Sequence, residues 1–333
     1  MAGCHPFDLR AHTAHFPRKV HTVTVGGMAS GLGIDLPQDV TGTEHGRLLR
    51  RFASEADAAG YDSLWVTEAS TPEVLEPLAA LTYSAAVTER ARLGAAVLLT
   101  AFRAPLLLAR HIATLDRLSQ GRAIIGVGLG NDRRQYARFG LAVQDRVSPF
   151  ESGIRVLRSL LGQEWTTSQE PWWDLDGVRR PLAPLQKPAP PLWFGARAPS
   201  ALDRAARLGD GWVGAGSSTL PEFATALEFV RRSLEKAGRA DTPFAISKRV
   251  YLHVLADGDD RSDVVAQVRQ WFDHHYGNPS GADRFVVIGS VAECADHVGR
   301  LRQKGASTVI LHPMIHQLEQ LERLTEGVAP QVA

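Results

Sequence analysis

The chain has 333 residues, 44% of them hydrophobic, enough apolar material for one large α/β barrel or for two ordinary domains. Lysine plus arginine number 37 against 36 aspartates plus glutamates, so a formal charge of +1 gives no bulk field for nucleic acid or an anionic membrane. The two cysteines, Cys4 and Cys294, form no CxxC and no metal-type cluster, which argues against a disulfide framework and for a reducing compartment.

Residues 1–20, MAGCHPFDLRAHTAHFPRKV, lack the apolar core of a signal peptide, and no apolar run approaches the roughly 20 residues of a membrane span. The expectation is a cytoplasmic protein with a flexible, polar N-terminal extension over 1–20 and a single domain over 21–333. His5, His12 and His15 belong to that extension and are read as mobile, without a metal.

Thr22–Val25 (TVTV) reads as a first strand, followed by a Gly/Asp/Pro-rich loop from Gly26 to Gly42. Leu48, Leu49, Phe52, Ala53 and Ala56 share one face of a helix that Gly60 stops. Ser63–Thr67 is a second strand. Thr71-Pro72-Glu73 opens a helix running to about Thr88, with proline in the first turn and a carboxylate near the positive end. Arg92–Leu99 is a third strand, and Pro105 opens the helix that leads into Leu115–Gly130, LDRLSQGRAIIGVGLG.

That stretch organises the chain. Ser119 and Gly121 end a helix, Ala123-Ile124-Ile125 has no polar face, as in a strand covered on both sides, and Gly126, Gly128 and Gly130 let backbone come close to a ligand. Phe150–Leu161 is helical. Gly162–Pro190 is too long for a routine connection and is read as a lid insertion, with Trp165, Trp172 and Trp173 either anchoring it or lining a substrate pocket. Strands at Pro191–Gly195, Gly211–Val213, within Ala245–Leu255 and at Thr308–His312 alternate with helices, and Ser290-Val-Ala-Glu293 is a capping box. Eight strands alternating with helices predict a (β/α)8 TIM barrel; a doubly wound sheet is the alternative, but no dinucleotide fingerprint follows the first strand.

Chemistry in such a barrel sits on the loops after the strands. Gly195-Ala-Arg-Ala-Pro-Ser200 leads into a helix with Ser200 as expected N-cap, and Arg197 can fork onto a phosphate. Gly214-Ala-Gly-Ser-Ser-Thr219 offers small residues and backbone donors. Together they read as an anion-binding rim, although tight turns alone would use the same residues. Glu68 ends an apolar strand, where it serves as a general base, as a ligand contact or as a cap. His312 ends the last strand and is either a rim residue or a structural histidine. Arg249, Tyr251 and His253 share one strand face, inward or outward. His111 and His297 lie on helices and read as surface residues; His274-His275 do not share a helical face, so metal binding there is not expected. No metal site and no Ser-His-Asp, P-loop or HExxH pattern stands out.

From Gly46 to Thr325 the chain resembles the luciferase-like flavin-dependent oxidoreductases of the bacterial luciferase superfamily. The resemblance is carried by Gly60-Tyr-Asp-Ser-Leu-Trp-Val66, Leu93-Gly-Ala-Ala-Val97, Leu115-Asp-Arg-Leu-Ser-Gln-Gly-Arg122 running into Gly126–Gly130, Pro184-Leu-Gln-Lys-Pro188, Pro190–Gly195 and Leu208-Gly-Asp-Gly-Trp212. It implies a (β/α)8 barrel, commonly a homodimer, that binds FMN or coenzyme F420 at the C-terminal rim. It also implies a non-prolyl cis peptide at Ala96–Val97 behind the ring. The phosphate segment matches Gly195–Ser200. The implied cofactor contacts are Ala96, Val97, Gly128, Asn131, Gly195, Ala196, Arg197, Ser200, Gly216 and Ser217. Asn131 stands where related deazaflavin-dependent sugar-phosphate dehydrogenases carry a glutamate. Ala69 stands where the family places a catalytic histidine, which argues against luciferase activity and leaves proton transfer to Glu68, His312 or the lid.

The first expectation is therefore an FMN-dependent monooxygenase, fed by a separate flavin reductase and acting on a small organic substrate. The alternative is F420-dependent hydride transfer, and the third reading is a non-catalytic flavin-binding protein.

Overall fold

The computed structural model describes residues 23–25, 28–40, 42–68, 73–130, 136–137, 139–140 and 146–332. The 1–20 extension, Ala69, the Thr71-Pro72 helix opening and Asn131 lie outside them.

Strand β1 (Val23–Val25) is antiparallel to β2 (Met28–Asp35), and it is β2 that enters the barrel. The first barrel strand thus occupies a stretch whose glycines read as a loop. Those glycines make room for the neighbouring strand: a Cβ at Gly33 would lie 2.5 Å from Trp65 Nε1 and 2.7 Å from Ser63 Oγ. Helix α1 (His45–Ala59) ends on Gly60 in the left-handed region, φ 95°. Strand β3 (Ser63–Val66) is buried on both faces. Helix α2 (Pro77–Ala85) begins later than expected because Glu76 is its cap, accepting from Ala79 N–H at 2.7 Å.

Next come β4 (Arg92–Leu99), α3 (Pro105–Leu118), β5 (Ala123–Gly128) and α4 (Val147–Gly162). The 162–190 insertion holds a hairpin, β6 (Trp165–Glu170) with β7 (Trp173–Arg179). It packs on α4, where Arg155 pairs with Glu170 at 2.5 Å, and leaves Trp165 and Trp172 exposed. Strands β8 (Leu192–Gly195), β9 (Gly211–Gly214), β10 (Ala245–Val254), β11 (Val286–Gly289) and β12 (Thr308–Pro313) follow. They alternate with α5 (Pro199–Leu208), α6 (Leu220–Lys236), α7 (Arg261–Tyr276), α8 (Gly281–Phe285) and α9 (Val291–Lys304), and α10 (Gln317–Arg323) leads through a π-helical turn (Leu324–Val328) into α11 (Ala329–Val332).

The parallel ring runs β2-β12-β10-β9-β8-β5-β4-β3, and β3 pairs back to β2. This closure is the predicted (β/α)8 barrel; β11 pairs with β10 outside the ring. Trp65 and Trp193, with ring centroids 5.3 Å apart, fill its interior together with Ile124, Val213 and Ile310. Glycines on adjoining strands admit them: a Cβ would fall 2.3 Å from Trp65 at Gly94 and 2.7 Å from Trp193 at Gly211.

Candidate active site

Ala96, packed with those tryptophans, lines a cavity of ≈ 700 Å³ at the C-terminal rim. The peptide bond Ala96–Val97 is cis, as the resemblance implies, and the β4–β5 register shifts across it, between Ala95 and Leu98. A Cβ at Gly126 would lie 1.9 Å from the Ala95 carbonyl oxygen, so only glycine permits this approach. The absent Cβ atoms of Gly128 and Gly195 leave room for Val97, whose methyls would be 2.6 and 3.0 Å away.

Of the residues expected at the site, Glu68, Ala96, Arg197, Gly216, Ser217 and His312 line the cavity. Val97, Gly128, Gly195, Ala196 and Ser200 are not among its lining residues. Ser200 is also not the cap of α5: Ala198 holds that position and Pro199 fills the first turn. None of the 162–190 insertion lines the cavity; Trp173 packs against the core, and Trp165 and Trp172 are exposed.

Glu68 is tied down. One oxygen accepts from Leu99 N–H at 2.6 Å, and both lie 2.7 Å from Arg103 Nη1. The second nitrogen of Arg103 reaches Glu76 at 3.0 Å. These bonds engage the carboxylate with the end of β4, while Glu68 also lines the cavity.

His312 sits in a buried cluster. Its Nδ1 is 2.8 Å from Asp35 Oδ2 and 2.8 Å from Arg249 Nη2, while Arg249 Nε donates to the same Asp35 oxygen. No described residue bonds to the other ring nitrogen. Burial opposes ionisation of Asp35, but Arg249 and His312 outweigh it and hold the carboxyl below its usual range. Burial and then Arg249 push the His312 pKa down, against Asp35, so the imidazole is neutral at pH 7. Tyr251 stands beside Arg249, and its hydroxyl is 2.8 Å from that of Tyr276.

The far wall comes from α7, and sequence reasoning missed it. Trp271 and His275 stack at 3.9 Å and 19°, and Asp39 holds both, with Oδ2 3.0 Å from Trp271 Nε1 and Oδ1 3.0 Å from His275 Nε2. Burial works against the charge on His275, yet Asp39 raises its pKa. The available signal was the i,i+4 spacing of Trp271 and His275 on one helical face, not the adjacent histidine pair. At the opposite end, Arg197 Nη1 donates to Ser217 Oγ at 3.3 Å.

A family model described as luciferase-like monooxygenase matches residues 32–308. The chain belongs to the luciferase-like family. Among curated luciferase-like relatives, it is 28% identical over 237 residues to the F420-dependent glucose-6-phosphate dehydrogenase of Kineococcus radiotolerans, covering 67% of this chain and 68% of that one. It is 28% identical over 223 residues to the phthiodiolone/phenolphthiodiolone dimycocerosates ketoreductase of Mycobacterium bovis, covering 62% of this chain and 58%, under two thirds, of that one. The fold superposes on monooxygenase RslO1 from Streptomyces bottropensis with TM-score 0.77 and 22% identity, over 91% of this chain and 100% of that one. As a luciferase-like protein, this chain is an oxidoreductase.

Proposed function

We propose that this luciferase-like protein moves a hydride between a deazaflavin cofactor of the F420 type and the carbonyl or alcohol carbon of a small organic substrate. The observation that carries the reading is the Asp35–His312 pair, a neutral imidazole on the cavity wall with a carboxylate behind it. A carbonyl that becomes an alcohol takes up a proton, so a poised acid–base group is what this reaction requires of the protein. The relatives named as a dehydrogenase and a ketoreductase support the same class.

The residues present fit a flat ring with a phosphate tail. The cavity runs from Ala96, a small side chain over the tryptophan plug, to Arg197 and Ser217, a cation and hydroxyl at one end. When bound, the cofactor would accept the hydride in alcohol oxidation and supply it in carbonyl reduction. In alcohol oxidation His312 takes the hydroxyl proton on Nε2, and Asp35 stabilises the resulting imidazolium; in carbonyl reduction the imidazolium returns the proton. Trp271 and Tyr276 form a wall against which a planar substrate can lie.

Absorption titration of the purified protein with F420 and with FMN tests the reading. Tight binding of F420, followed by oxidation of its reduced form with a carbonyl substrate in the absence of oxygen, is the expected result. Selective binding of FMN, with oxygen consumed when it is reduced, would instead make the protein the monooxygenase that the sequence first suggests.

A further inference from the structure

Behind the anion-binding end lies a lysine that the hydride-transfer reading does not use. Lys248 is on β10, and its neighbours Arg249 and Tyr251 line the cavity, but Lys248 points the other way, toward α6. The site of a Cβ on Gly214 would touch Phe223 of α6 at 3.1 Å and Lys248 Cδ at 3.2 Å. The β9–β10 ladder ends at the pair Gly214–Lys248. Just past that end, Lys248 Nζ donates to the Ala215 carbonyl at 2.5 Å and to the Arg249 carbonyl at 2.6 Å. One side chain, only 2% exposed, thus ties the turn that carries Gly216 and Ser217 to the strand whose arginine holds Asp35 and His312.

We propose that Lys248 is the positioning residue of the 215–218 turn, and that docking of a cofactor phosphate on this turn is coupled to uptake of one proton by the Lys248 amine. The proposal rests on the cofactor reading above. A neutral amine has two N–H groups, and two carbonyls accept them, so both donors of the uncharged form are used where it lies. Burial, then the neighbouring Arg249, bring its pKa down to about 7. Arg197 from the β8–α5 loop acts in the same direction, Glu222 in the first turn of α6 opposes them, and His297 on α9 is within electrostatic reach. A phosphate at the turn adds negative charge in front of the amine and favours the ammonium form. The proton comes from solvent and forms a third N–H bond on Nζ; no other bond changes.

The sign follows by linkage. Above pH 7 the free protein lacks the proton that the complex holds, so affinity falls as pH rises, by up to about tenfold per pH unit. A phosphomonoester has its second pKa at about 6 and His297 is pushed below its ordinary value by burial, whereas His275 on the far wall is raised by Asp39, so the slope assigned to Lys248 is the difference between the wild type and its Lys248 variants.

The experiment is calorimetric and fluorescence titration of the intact protein with FMN and with F420 at pH 7, 8 and 9, in two buffers of different ionisation enthalpy. The wild type is expected to lose affinity across this range and to take up protons on binding. K248M is expected to bind about tenfold more weakly at pH 7, with a shallower pH profile than the wild type. K248Q keeps two N–H groups for the carbonyls, serves if K248M does not fold, and is also expected to show the shallower profile. Variants that retain the wild-type affinity and slope, or a wild type whose binding does not change with pH, overturn the proposal. A wild type that binds neither cofactor removes the reading underneath, and this inference with it.

Discussion

His312 has two neighbours competing for one ring nitrogen, and that competition sets its protonation. Burial and Arg249 hold the pKa below its ordinary 6.5, so the ring charges only in more acidic solution. If His312 is the base for alcohol oxidation, kcat/KM is level above pH 6.5 and falls below it as the ring protonates. His312→Asn keeps a group near the Nδ1 position but removes the base. It is expected to lower kcat by about 10²- to 10⁴-fold with cofactor affinity unchanged; steady-state rates paired with a binding titration check this. Glu68, the other acid–base candidate of the sequence, is pinned by Arg103 and the Leu99 N–H. Its position at a strand end was legible, but a partner 35 residues away was not.

At the scale of elements, α7 carries the largest difference between pattern and structure. The alternation of strands and helices placed a helix here, yet Trp271 and His275 turn a polar-aromatic wall into the cavity where Asp39, after β2, accepts from both. This meeting of residues 236 apart has no local signature. Because Asp39 raises the His275 pKa, the ion pair contributes its full stability below about pH 6.5 and loses it as pH rises through the raised folded value. Asp39→Asn is therefore expected to cost about 1 kcal/mol at pH 6, allowing for the partial exposure of Asp39, and less at pH 8.5. Urea unfolding at the two pH values measures it; an equal cost at both would assign the effect to the Trp271 bond. Other motifs turn out to be joints of the scaffold. Asp116 of the LDRLSQGR stretch accepts from the N–H groups of Leu185 and Gln186 at 2.7 and 3.0 Å, which explains why that stretch and Pro184–Pro188 occur together. The β2 strand was hidden for the opposite reason: its glycines serve Trp65 and Asp62 of the neighbouring segment, and a propensity reading sees only a loop.

For the whole molecule, the alternation of strands and helices is a periodic signal, and it survives local errors such as the displaced first strand. What periodicity leaves open is how the ring closes. Closure joins β2 to β12 and β12 to β10, and at the mouth of that seam Asp35, Arg249 and His312 meet from one strand each. Removing one partner leaves a buried charge without its counter-ion, a loss of about 3–5 kcal/mol, whereas replacing both ions by apolar groups is far less costly. Asp35→Ala and Arg249→Met should each lower the urea midpoint strongly, and the double variant should recover most of the loss. A double variant as unstable as the sum of the two singles would show that Asp35 and Arg249 stabilise the seam independently rather than as a pair. Turnover should be lost in all three, because each leaves His312 without the group that orients its ring or the carboxylate that stabilises its charge, so restored stability without restored activity separates closure of the barrel from its chemistry.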